Sequence, residues 1–175
     1  MSDFAFDPAL SSPRVTVAGH PHAVQFYETD AFLVEAVTRF IATGLAADEP
    51  AVIIATAAHC DAFVDGLRTK GIDTSRALDQ GTLVLLDADE TLRSFMVQGA
   101  PDWELFASTV GGVLAAVAAR SRGMPVRAYG EMVDVLWRDG QRSAALRLES
   151  MWNDLRSRAG HTFSLLCAFV IDSFY

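Results

Sequence analysis

Apolar residues in this chain fall into short continuous runs, and the longer stretches between those runs carry apolar residues at helical spacing. AVIIAT (51 to 56) is unbroken over its length, as a strand buried on both faces requires. HAVQFY (22 to 27), TLVLLDA (82 to 88), PVRAYGEM (125 to 132) and TFSLLCAFV (162 to 170) read as four more strands. After the first, Leu33, Val37, Phe40 and Ile41 share one helical face and Glu35 and Arg39 pair on the other. Asp30 is the expected N-cap of that helix and Gly44 its stop. A second helix is expected from Ala57 to about Lys70, with Phe63, Val64 and Leu67 inward. DETLRSFM and the stretch carrying Trp103, Phe106, Val110 and Val117 supply further helical segments. A short apolar turn follows through Leu136 and Trp137, then a long helix from Arg142 to about Arg158 that packs through Leu148, Met151, Trp152 and Leu155.

Strands alternating with helices predict a three-layer α/β/α domain around a mostly parallel sheet. Residues 1–21 mix Pro, Ser and Gly without a period and are expected to be a partly mobile leader, with the domain occupying 22–175. Ligands of such sheets bind beyond the carboxyl ends of the strands. That rule nominates Tyr27 and Glu28, Thr56 and His59, Asp87 and Asp89, Glu131 and Asp134, and Asp172.

The charge balance removes one class of partner. The chain carries a net charge of −8 and no basic run, so the electrostatic footprint of a nucleic-acid binder is missing. Cys60 and Cys167 have neither metal-type spacing nor the density of a disulfide scaffold, and are expected to be buried thiols. The N-terminus lacks a basic n-region and an apolar h-region, and no apolar run is long enough to span a bilayer; the expectation is a cytoplasmic protein.

The β-α-β opening is that of a nucleotide-binding domain, and LVLLD ending in Asp87 imitates the strand that holds Mg²⁺ in phosphate-loop enzymes. Phosphate binding of that kind needs glycine-freed backbone N–H groups and a lysine. The turn here is Tyr27-Glu28-Thr29-Asp30, and the only lysine, Lys70, lies at a distant helix end. Asp87 and Asp89 are therefore read as turn and cap residues, and no cofactor is expected. His22, His59 and His161 could join Glu131 around a metal, but their spacing is no metal signature, and His59 in a first helical turn is read as bonding a neighbour. Cys60 and His59 point about 100° apart on a helix and cannot form a nucleophile pair.

Glu131 is the most informative polar residue, because it follows an apolar strand and precedes Met132, Val133, Leu136 and Trp137. A buried carboxylate must be paired or protonated. Arg127, on the same strand face as Tyr129 and Glu131, is the expected partner, either in an ion pair that stabilises the strand end or beside an apolar pocket of which Glu131 is the polar anchor. Glu149 is expected to meet Arg156 or a backbone N–H.

The blocks HAVQFYETD (22 to 30), AVIIATAAH (51 to 59), GTLVLLDADETL (81 to 92), YGEMVDVLW (129 to 137), LESMWNDL (148 to 155) and FSLLCAF (163 to 169) together resemble the MEDS domain, the sensory domain of methanogens, methylotrophs and the dichloromethane-responsive regulator. That family looks like a degenerate relative of RecA/KaiC-type ATPases whose phosphate loop is lost. The resemblance implies a non-catalytic sensor of a small, largely apolar molecule, such as a C1 or hydrocarbon derivative. It also implies an output partner, a histidine kinase or transcription regulator, acting in trans or in a longer chain. Tyr27, Glu28, Thr56, His59, Arg127, Glu131 and Trp137 are the expected ligand-binding residues, with no metal and a symmetric dimer as the default. Two alternatives remain open: a nucleotide-binding module without hydrolysis, and an interaction module with no small ligand.

Overall fold

The computed structural model describes residues 22–121, 123–158 and 163–170. The leader, His161 and Asp172 lie outside them. In chain order the elements are β1 (His22–Tyr27), α1 (Asp30–Leu45), β2 (Ala51–Ala55), α2 (Ala57–Thr69), α3 (Thr74–Asp79), β3 (Leu83–Asp87) and α4 (Ala88–Phe95). A two-residue hairpin of β4 (Met96–Val97) and β5 (Ala100–Pro101) follows. Then come α5 (Trp103–Phe106), a π-helical turn (Ala107–Gly111), α6 (Gly112–Arg120), β6 (Val126–Gly130), α7 (Met132–Arg138), α8 (Arg142–Arg158) and β7 (Phe163–Val170).

Five strands make one sheet in the order β1-β7-β6-β2-β3, with every pairing parallel. The unbroken apolar run of β2 is explained by its two faces. Val52 and Ile54 enter one core with Leu92, Phe106, Leu148 and Trp152, while Ala51, Ile53 and Ala55 enter the other with Leu33, Ile41, Phe63 and Leu67. Connections that step from β1 to β2 and from β2 to β3 place α1, α2 and α3 on the second face. Those that step back, β3 to β6 and β6 to β7, place α4 to α8 on the first. A single crossover hand demands this segregation. Asp87 caps α4, its side chain accepting the Glu90 N–H at 2.8 Å.

Four local features depart from the sequence expectation. Thr29, not Asp30, caps α1, through Oγ1 and the Phe32 N–H. The β4–β5 hairpin is closed by Gln98 and Gly99 at φ 51° and 80°, consecutive left-handed residues of the kind a two-residue hairpin needs. Its strands are too short to show a period. The π turn interrupts a helix whose spacing reads as continuous on either side.

Gly44 does not stop α1. It lies inside the helix against Arg127, where a Cβ would come within 2.4 Å of Arg127 Cδ and 2.6 Å of Nε. Arg127 itself is held by Glu49 Oε2 at 2.5 Å and the Phe40 carbonyl at 3.0 Å, with its guanidinium over the Phe40 ring. This also corrects the expected pairing with Glu131. Arg127 sits at the amino end of β6, its backbone N–H bonded to Pro50, and four residues of strand, about 13 Å, separate it from Glu131.

A Gly44→Ala substitution gains about 1 kcal/mol of helix propensity but overpacks a tethered side chain, which costs about 1–3 kcal/mol. The single variant should therefore be less stable than wild type in urea unfolding. In an Arg127→Ala background the same substitution should stabilise, and equal effects in both backgrounds would show that the contact does not matter.

Candidate functional site

From β2 the chain runs outward to β3, and from β6 it runs the other way to β7, so neighbouring strands β2 and β6 form the topological switch point of the sheet. Crevices for ligands open at that point, beyond the carboxyl ends. Thr56 and Glu131 are the residues that follow those two strands.

Glu131 has no exposed surface. Its backbone N–H continues the ladder to the Ile54 carbonyl at 2.9 Å, which fixes the side chain over the end of β2. There Oε2 accepts the Thr56 N–H at 3.1 Å, and Oε1 faces His59 Nδ1 at 2.7 Å and Arg138 Nη2 at 3.3 Å. Thr56 is the N-cap of α2 yet makes no side-chain cap bond. Glu131 thus does, from another element, what the glutamate of a capping box does within a helix.

Arg138 joins Glu131 to a second buried acid. Its Nε donates to Asp134 Oδ2 at 3.0 Å, and its side chain remains 42% exposed. Asp134 also accepts the Val170 N–H at 3.2 Å and the Tyr27 hydroxyl at 3.3 Å. The cluster therefore reaches the carboxyl ends of β2, β6, β7 and β1. His59 stacks on Phe63, and its Nε2 lies 3.8 Å from Asp30, which is 80% exposed.

The electrostatics follow from this packing. The hydrogen bond to Glu131 raises the His59 pKa above its ordinary value against the opposing pull of burial, with the charges of Glu131 and Asp30 adding to the rise. Burial lifts the Asp134 pKa, and Val170 and Arg138 partly offset it. Tyr27 is held firmly as a phenol, first by burial and then by Asp134. Burial pushes the half-buried Cys60 thiol up to about 11, which favours the thiol over the thiolate. Beneath the cluster, the Tyr129 ring meets Phe63 edge-on at 5.2 Å, and its buried hydroxyl has no hydrogen-bond partner among the described residues.

Of the residues nominated from sequence, Tyr27, Thr56, His59, Glu131 and Asp134 converge here. Glu28 is exposed on the turn after β1. Arg127 is at the other end of β6. Trp137 packs into the core on the opposite face of the sheet, under Arg142. The residue that sequence reasoning missed as the partner is Arg138. Its signal was present, since Glu131, Asp134 and Arg138 are spaced i, i+3, i+7 and share one face of α7. A separate polar cleft of about 340 Å³, lined by Asp48, Glu49, Asp73, Arg76 and Gln80 among others, lies at the amino ends of β2 and β3, away from these groups.

Residues 21–175 match the family model described as MEDS, the MEthanogen/methylotroph, DcmR Sensory domain. No curated protein matches the chain. Among the described residues, no helix is long and apolar enough to cross a membrane.

The raised His59 pKa sets a pH dependence with a definite sign. A histidine that binds its proton more tightly when folded contributes stability that is fully present below its unfolded pKa of about 6.5 and is lost as pH rises through the higher folded value. The unfolding free energy of wild type minus that of His59→Gln should accordingly be largest near about pH 5.5 and shrink towards about pH 9. A difference that is flat or grows with pH would contradict the His59–Glu131 bond.

Proposed function

The chain belongs to the MEDS family of sensory domains, and we propose that its sensing site is the Glu131 cluster, where a small, largely apolar molecule bearing one hydrogen-bonding group is received. The observation that carries this reading is the sharing of one half-exposed arginine between two buried carboxylates at the switch point of the sheet. Pockets for small ligands combine apolar walls with a few converging polar groups. The apolar groups packed about the cluster are Phe63, Tyr27 and Tyr129, and the polar groups that converge there are Thr56, His59, Glu131 and Arg138. The Tyr129 hydroxyl, without a hydrogen-bond partner among the described residues, is a further place for a ligand to bond.

Sensing without catalysis suits the chemistry present. His59 is tied to Glu131 and burial favours the protonated form of the nearby thiol, so neither is poised as a nucleophile. Glu28 and Asp30 are exposed at the turn after β1, and their negative charge disfavours a nucleotide phosphate. Arg138 contacts both acids, and the second of these touches β1 and β7, so a ligand that shifts the arginine alters contacts on both edge-side strands. A histidine kinase or transcription regulator is the output partner this role calls for.

Thermal-shift and calorimetric titration against C1 compounds and short hydrocarbon derivatives test the reading. A true ligand at about 100 times its Kd adds about 2.7 kcal/mol, a rise in Tm of about 5–10 °C for a chain of this size. In Glu131→Gln, which keeps an acceptor for the Thr56 N–H, affinity for that compound should weaken by about 1.5–3 kcal/mol while the fold persists in circular dichroism. A panel with no shift, or a shift that Glu131→Gln leaves unchanged, would overturn the assignment of the site.

A further inference from the structure

On the other face of the sheet, three side chains from three elements converge: His22 at the start of β1, Glu149 on α8 and Cys167 on β7. One ligand-type atom from each lies within 4.8 Å of the other two. The same spacing along the sequence, 22, 149 and 167, carries no motif, so only the fold discloses the group.

The hydrogen bonds around His22 decide which of its nitrogens is available. Asn153 Nδ2 donates to the Glu149 carbonyl at 3.1 Å, one turn back on α8, so the amide oxygen is the atom turned towards His22. Nδ1 of His22 lies 3.1 Å from that oxygen and must therefore donate to it. In the neutral ring, Nε2 is then a bare lone pair. It faces Glu149 Oε1 at 3.3 Å, and among the described residues the buried Nε2 has no hydrogen-bond partner, nor has Glu149 Oε2. Two acceptor atoms turned towards each other in a desolvated place, beside a buried thiol, call for a cation between them.

We propose that His22 Nε2, a Glu149 carboxylate oxygen and Cys167 Sγ form a metal site, selective for zinc-type ions, with Asn153 holding the imidazole in its ligating tautomer. The donor set of one imidazole, one carboxylate and one thiolate suits tetrahedral Zn²⁺. Bond lengths of about 2.0–2.3 Å place tetrahedral ligand atoms about 3.3–3.6 Å apart, a separation that His22 and Glu149 already have. Binding releases the Cys167 proton to solvent, and the thiolate and carboxylate then neutralise the divalent charge, which suits a buried position. A carbonyl-fixed amide on the distal ring nitrogen is the orienting contact that ligating histidines use. Three protein ligands leave the fourth position for water or another donor. This site shares no side chain with the Glu131 cluster and does not depend on the role proposed there.

The test uses the full chain, stripped with a chelator and titrated with Zn²⁺ and with Co²⁺. One equivalent of Co²⁺ should bind with the intense visible bands of a tetrahedral ion and with thiolate-to-cobalt charge transfer in the near ultraviolet. Cys167→Ser should abolish the charge-transfer band and Cys60→Ser should leave it intact. His22→Gln and Glu149→Gln give the same answer without altering the buried thiol, should Cys167→Ser fail to fold in circular dichroism. Asn153→Ala, which touches no ion, should weaken Zn²⁺ binding about 10–100-fold in competition with a chelating dye. Absence of stoichiometric binding, a charge-transfer band that follows Cys60, or affinity unchanged in both His22→Gln and Glu149→Gln would overturn the proposal.

Discussion

Glu131 stands with no exposed surface where β6 ends and α7 begins, and removing a carboxylate from water is affordable only when each of its oxygens is bonded. Oε2 takes the Thr56 N–H and Oε1 is shared by His59 and Arg138. Each of these partners belongs to the start of α2 or the end of α7, so satisfying one side chain fixes how two helices on opposite faces of the sheet are set at its carboxyl edge. Hydrogen bonds to charged groups of this kind are worth about 1.5–3 kcal/mol apiece, comparable with burying a large apolar side chain. Losing Glu131 would leave Thr56 without any cap partner and His59 without its stronger bond.

Arg138 extends the constraint to Asp134, and Asp134 extends it to Tyr27 and the Val170 N–H. Four of the five strands of the sheet end on this chain of contacts. The exposed stretch of Arg138 is its soft member, because a guanidinium in contact with water can leave one acid at little desolvation cost, whereas neither acid can follow it. Such an arrangement holds the two acids in place and leaves their shared cation in contact with water.

The layers of this fold were legible because burial on two faces leaves a mark that no other element makes: AVIIA is apolar throughout, with Val52 and Ile54 serving one core and Ala51, Ile53 and Ala55 the other. Face, however, is all that a period of two conveys. Arg127 and Tyr129 do share a face of β6, but a strand also has two ends, and Arg127 belongs to the amino end with Glu49 and Phe40. Gly44 was misread for a related reason, since a glycine kept for the approach of a distant side chain looks in sequence like one kept for a turn. His59 and Glu131 are 72 positions apart, and nothing local joins them. The neighbours Glu131, Asp134 and Arg138 were legible in principle, because a helix face is written in the spacing of its residues. That spacing becomes visible once β6 is known to end at Gly130 and not to run through Met132.

The two ends of the sheet solve the same electrostatic problem in different ways. At the amino end, Arg127 is matched by Glu49 and the Phe40 carbonyl, roofed by the Phe40 ring and pressed against Gly44, so one cation has a carboxylate to itself. The cleft beside it is lined by three carboxylates, of which Glu49 is bonded to Arg127 and Asp73 caps α3. At the carboxyl end, two acids have one arginine between them, the histidine is protonated more readily than in water, and the Tyr129 hydroxyl has no partner among the described residues. A fully bonded site gains little from a further partner, whereas one whose cation is shared and whose hydroxyl is unpaired among the described residues has bonding capacity left. That residual bonding capacity is what distinguishes the carboxyl end of the sheet from its amino end.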